Sequence, residues 1–170
     1  MKGKIFELVK SIAISLLIAV FIINFIFQIV VVNGESMMPT LQNNDKLILE
    51  KLSKQIVATK RNDIVVIKYP ADTRQRLIKR VIAVAGDTVK ISDNRMYING
   101  KIVNEFYKNE IFMKDYDETM VPADSIFVLG DNRNFSKDSR SRDIGFVKLN
   151  LLEGKAVIRL YPFNKMGRIR

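Results

Sequence analysis

The sequence predicts a mostly β protein in which one N-terminal transmembrane helix precedes a folded-over antiparallel β-sheet domain. Three observations carry that reading. A single uncharged apolar run, Ile12 to Val32, stands near the start. Short β-branched runs bounded by Asn, Asp, Pro or Gly follow it. Beyond residue 33 nothing has the length and period of a long helix.

Residues 1–11 form a basic leader in which Lys2, Lys4 and Lys10 outweigh Glu7. As a helix, residues 12–32 would span about 31 Å, close to the roughly 30 Å hydrocarbon core of a bilayer. A cleavable export leader begins in the same way, but its apolar core is about 7 to 15 residues long and ends at a small-x-small site. Here the run is longer and ends in Val30-Val31-Val32-Asn33, which favours an anchor. Lysines ahead of the helix predict a single-pass protein of the cytoplasmic membrane, with its N-terminus in the cytoplasm and residues 33–170 outside.

Residues 33–170 suffice for one modest core and not for two large domains. The chain carries a net charge of +10, and with the leader's +2 set aside, +8 remains on this part. Such a surface suits anionic lipid or an acidic cell wall. An outward-facing domain without a nucleic-acid-binding motif makes nucleic acid the poorest candidate partner. There is no Cys, hence no disulfide framework, thiol nucleophile or cysteine zinc site. There is also no His, which removes the Ser-His-Asp triad, histidine metal sites and the usual base near neutral pH. A serine nucleophile in this chain needs a carboxylate, a lysine or a terminal amine as its base.

Strands are predicted at 46–50, 63–69, 77–84, 89–91, 96–98, 125–129 and 156–161. Asp93-Asn94 and Asn99-Gly100 supply turns, the second a strong hairpin signal. Residues 88–124 read as a hairpin and loop insertion, with 104–124 polar and weakly periodic.

Three segments carry the chemistry. They are Gly34-Glu35-Ser36-Met37-Met38-Pro39-Thr40-Leu41, the stretch Arg76 to Asp87 containing Lys79-Arg80-Val81, and Gly130-Asp131-Asn132-Arg133-Asn134-Phe135-Ser136-Lys137-Asp138-Ser139-Arg140. A weaker fourth is Asp63 to Pro70. In this order, behind one anchor helix, they resemble the bacterial type I signal peptidases (leader peptidases) of the short, single-span Ser/Lys subclass.

The resemblance implies a membrane-bound serine endopeptidase that removes signal peptides from exported preproteins after small residues of the Ala-x-Ala type, with no metal or other cofactor. Ser36 would be the nucleophile and Lys79 the general base. A free lysine, with a pKa of about 10.4, is a poor base at neutral pH, and burial among Leu77, Ile78, Val81 and Ile82 would lower it. Ser136 would orient the Lys79 amine, while Asp131, Asp138, Arg80 and Arg140 would form ion pairs that fix the loop. Val32, Met37, Leu41, Leu77 and Ile78 would line shallow apolar substrate pockets, with the peptide adding as a strand beside residues 76–79.

Some members carry a serine where this chain has Gly34. That implies a backbone there that L-residues can adopt, so Gly34→Ser is expected to keep or raise turnover. Two rival readings are a self-cleaving repressor-type Ser/Lys domain and a non-catalytic, basic, membrane-anchored binding module. The first normally has an internal Ala-Gly cleavage site, and only Val84-Ala85-Gly86 approaches one.

Overall fold

The structure, a computed structural model, describes residues 2–51, 59–104 and 114–169. It contains one N-terminal helix, and the rest is mostly antiparallel β. Helix α1 is Lys2–Phe25, and strand β1, Phe27–Val31, follows it directly. The apolar run expected to be one helix over 12–32 is therefore divided. Its β-branched end, Ile29-Val30-Val31, pairs antiparallel with β2, Lys46–Glu50, in the register Ile29↔Ile48. Hydropathy rates helix and strand alike here, and the available sheet edge decides for strand. The uncharged part of α1, residues 11–25, is about 22 Å long. Among the described residues no helix is long and apolar enough to cross a membrane. Every side chain described on α1 is nevertheless exposed, including Leu16, Leu17, Phe21 and Phe25.

The large sheet runs in the order β1, β2, β11 (Leu152–Tyr161), β3 (Ile64–Tyr69), β4 (Asp72–Val84), β9 (Ser125–Leu129) and β10 (Val147–Lys148), with β12 (Gly167–Arg168) pairing on β11. A smaller sheet has the order β7 (Lys101–Ile102), β6 (Arg95–Ile98), β5 (Thr88–Ser92) and β8 (Tyr116–Met120). The two hairpins read from the sequence are present, and Asp93, Asn94, Asn99 and Gly100 all have positive φ, as tight two-residue turns between twisted strands require. Strand β8 falls inside 104–124, where only loop was expected, and adds to the free edge of β5. Its exposed, polar pattern conceals it. Residues 105–113 of that stretch lie outside the described residues.

Three apolar clusters hold these layers together. Ile82, Ala83, Phe127 and Leu129 of the large sheet pack against Val89, Ile91, Met96 and Ile98 of the small one. Val65, Ile67, Val81, Val128 and Leu152 form a second cluster with Ile144 and Val147. The third gathers Val32, Met37 and Leu41 over Leu47, Ile64 and Ala156, which seats the segment carrying Ser36 on the sheet.

Candidate active site

Ser36 and Lys79, 43 residues apart in sequence, meet at 2.8 Å between Oγ and Nζ. They arrive there by different means. Lys79 lies in β4, paired across to Val65 of β3. Its side chain is only 2% exposed, and its Nζ also donates to the Ile78 carbonyl at 3.1 Å. Burial disfavours the ammonium and brings the Lys79 pKa down to about 8; the Asp138 and Asp131 carboxylates oppose the fall, and the Arg140 guanidinium adds to it. At pH 7 a base of that pKa is about one-tenth neutral, against less than a thousandth for a free lysine.

Ser36 sits on an irregular segment between β1 and β2. Met38 N–H donates to the Glu35 carbonyl at 3.1 Å and Leu41 N–H to the Met37 carbonyl at 2.9 Å. The 130–140 loop fixes the serine from the far side: Asn132 N–H donates to the Ser36 carbonyl at 3.0 Å and Asn132 Nδ2 to the Glu35 carbonyl at 3.2 Å. The Ser36 N–H has no acceptor among the described residues.

Strand geometry turns Arg80 away from Lys79 and into the loop. Its guanidinium holds Asp131 with two bonds, Nε to Oδ1 at 2.8 Å and Nη2 to Oδ2 at 2.7 Å, both side chains fully buried. Arg140 grips Asp138 in the same two-pronged way, at 2.8 Å on each oxygen, and Asp138 also accepts the Gly130 N–H at 3.1 Å. All four charged residues proposed from the sequence are thus brought together, in two pairs.

Ser136 differs from expectation. Its Oγ is buried without a hydrogen-bond partner, and Lys79 Nζ bonds to Ser36 and Ile78 instead. It is close by all the same, because a Cβ built on Gly130 would fall 2.2 Å from Ser136 Oγ and 2.3 Å from the Ser36 carbonyl oxygen. Gly130 is the residue the sequence reading missed. It stands at the head of the third segment, and only its lack of a side chain lets the loop close on Ser36. Gly34 has φ +99°, which overturns the expectation of a backbone that L-residues adopt readily, although the space around it is open.

Beside the pair lies a cleft of about 120 Å³. Val32, Met37, Leu77 and Ile78 line it, as the sequence suggested, and so do Val30, Val66 and Arg76. Leu41 does not reach it: the side chain is 0% exposed in the third core cluster, because the chain turns back after Met37. Strand β9 pairs with β4 only from Arg80 onward, so among the described residues the edge of β4 at 76–79 is open to an added strand. A larger opening of about 430 Å³ is lined by Arg61, Asp63, Arg80 and Lys155, whose charges are answered by one another, by Asp87 and by Asp131. It holds no nucleophile beside a base.

Comparison with known proteins identifies the family. The profile of the family described as signal peptidase, peptidase S26, matches residues 5–161. Signal peptidase I of Leptolyngbya laminosa is 37% identical, over 96% of this chain and 83% of its own. Signal peptidase I S of Bacillus subtilis (strain 168) is also 37% identical, over 98% of this chain and 95% of its own. A crystal structure of a signal peptidase I from Enterococcus faecalis V583 superposes with a TM-score of 0.51 at 37% identity, covering 57% of this chain and 95% of that one. The chain belongs to the signal peptidase family, peptidase S26, and is a serine peptidase of the signal peptidase I kind.

Proposed function

We propose that the chain removes signal peptides from exported preproteins with a Ser36/Lys79 dyad, cutting after small residues at the outer face of the cytoplasmic membrane. The observation that carries this is the 2.8 Å contact between Ser36 Oγ and an almost completely buried Lys79 Nζ.

Neutral Lys79 takes the Ser36 proton as Oγ attacks the scissile carbonyl. The oxyanion of the tetrahedral intermediate forms beside the Ser36 N–H, a donor held in place before reaction. Its collapse breaks the C–N bond, Lys79 returns the proton to the leaving amine, and the signal peptide remains esterified to Ser36. Lys79 then deprotonates a water that attacks the ester, which frees the peptide and restores the serine. Asp131, Asp138, Arg80 and Arg140 position the loop around this centre. Ser136 offers its unpartnered hydroxyl to the Lys79 amine during the cycle.

Specificity follows from the cleft. A peptide adding along 76–79 gains main-chain bonds, and about 120 Å³ walled by Val32, Met37, Leu77 and Ile78 admits methyl-sized side chains. No metal, nucleotide or organic cofactor is required, and nucleic acid is not a partner.

Membrane attachment is supported by α1, whose apolar side chains are exposed all round and have no cover in the described chain. Lys4 and Lys10 would face the cytoplasm, their stems snorkelling along the helix, while the exposed Phe27, Ile29 and Val31 of β1 continue the apolar surface toward the domain outside. Incubating the detergent-solubilised protein with a leader-bearing precursor and sequencing the product N-terminus tests the reading. Cleavage after a small residue, lost in Ser36→Ala, is expected. Cleavage that survives Ser36→Ala, or none by the unaltered protein, would refute it.

A further inference from the structure

The 130–140 loop holds Ser36 from one side. On the opposite side lies a set of contacts that the dyad chemistry does not use. The segment 33–45 is closed at its neck, where Val32 N–H donates to the Asp45 carbonyl and Asn44 N–H to the Val32 carbonyl, each at 2.9 Å. Between neck and serine, Arg159 reaches in from β11. Its Nη2 donates to the Thr40 carbonyl, and its Nε stands 3.1 Å from Asp45 Oδ2, a charge pair without hydrogen-bond geometry. Asp45 is 2% exposed and also accepts the Gln42 N–H at 3.0 Å. The Thr40 hydroxyl in turn accepts from Arg80 Nη2 at 3.4 Å, one residue along β4 from Lys79. Thr40 is thereby tied at its carbonyl to β11 and at its hydroxyl to the strand of the base.

Two breaks in register, between Ala156 and Ile158 and between Arg159 and Tyr161, bracket Arg159 in its pairing with β2. Such irregularities re-aim a side chain that regular pairing would send elsewhere. We propose that Arg159, acting with Asp45 and Thr40, positions the nucleophile segment and sets the reach of Ser36 Oγ to Lys79 Nζ. The proposal rests on the dyad reading above.

The physical case has three parts. Residues 33–45 have no strand ladder of their own, so a few tertiary ties, those of Arg159 among them, decide where Ser36 stands. A buried carboxylate whose cation is removed must move or protonate, and Asp45 holds the end of that segment. A lysine at 159 would restore the charge but not the fork that reaches Thr40 and Asp45 together. None of the three residues lines the cleft or is among the charges that shift Lys79, so peptide affinity and the titration of Lys79 are expected to stay as they are.

The test is Arg159→Lys, Asp45→Asn and their double variant in the full-length protein, measured with a leader-bearing precursor for kcat, KM, pH profile and unfolding midpoint. In Arg159→Lys, kcat is expected to fall about tenfold or more, with KM within about twofold of the parent and the acid limb of the profile unmoved. The double variant is expected to lose no more than its worse single, since both act through one unit. Unchanged kcat in Arg159→Lys, whether or not the unfolding midpoint drops, would overturn the proposal. So would a displaced acid limb, which would assign Arg159 to the charge of Lys79. Ser36→Ala run alongside separates the two readings: cleavage that survives it removes the dyad itself, whereas cleavage lost there but normal in Arg159→Lys removes only the positioning role.

Discussion

The two halves of the proposed dyad are held in opposite ways. Lys79 lies within a 13-residue strand whose backbone pairs with β3 beneath it and with β9 from the next residue on. Ser36 has no ladder at all and depends on a few contacts from residues far along the chain, chiefly the bonds of Asn132, those of Arg80 and Arg159 to nearby Thr40, and the close approach of Gly130. The proposed base is fixed by the sheet and the proposed nucleophile by its visitors. Burial tunes a lysine only if the sheet keeps it dry, whereas a serine hydroxyl needs no tuning and only has to be aimed. Substitutions around Ser36 are therefore expected to change rate more than stability, and substitutions in the sheet beneath Lys79 to change both.

The largest effects belong to the pair itself. Ser36→Ala and Lys79→Ala are each expected to abolish precursor cleavage, by about 10⁴-fold or more, and the double variant to be no worse than either, because the two act as a unit. Lys79→Arg is expected to be equally inactive, since a guanidinium stays protonated at any working pH. Circular dichroism of Ser36→Ala should be unaltered.

Next is Gly130→Ala. The added methyl would meet Ser136 at both Oγ and Cβ, of which only Oγ can rotate away, and the Ser36 carbonyl, which cannot move without taking Ser36 with it. A displacement near 1 Å is expected to cost about 10²-fold in kcat, with a smaller effect on KM. A variant as fast as the parent would mean that the loop closes on Ser36 less tightly than its contacts indicate.

Gly34→Ser should act more gently. Nothing stands within 4 Å of the new Cβ, so the cost is the backbone strain of an L-residue at φ +99°, about 1–2 kcal/mol. Urea unfolding should register that loss, and kcat is expected to fall several-fold as the segment relaxes. An undiminished kcat would restore the view that the hydroxyl of a serine there compensates through the oxyanion.

The sequence was legible where chemistry is local. Ser36, Lys79 and the charged loop lie in contiguous segments whose order is itself informative, and the paired arginines and aspartates met as their types suggested. Strands with β-branched residues between turn residues were readable for the same reason. The split of the apolar run was not, because Ile29, Val30 and Val31 satisfy a helix and a strand equally until β2 is known to lie alongside. Leu41 could not be separated from Met37 by spacing, since both are buried in the third cluster and only Met37 also lines the cleft. Gly130 and Arg159 act through contacts more than 90 residues away in sequence, with Ser36 and Thr40, and no local pattern announces them.

The pH dependence of kcat/KM, taken with a precursor for which chemistry limits turnover, tests most directly whether a neutral, buried Lys79 is the base. Below the lysine's pKa the rate should climb about tenfold per pH unit and level off above it, with the midpoint near the value of about 8 that burial imposes. A rate flat from about pH 6 to about pH 9, or a midpoint in the carboxylate range, would contradict a lysine base and point to a carboxylate instead.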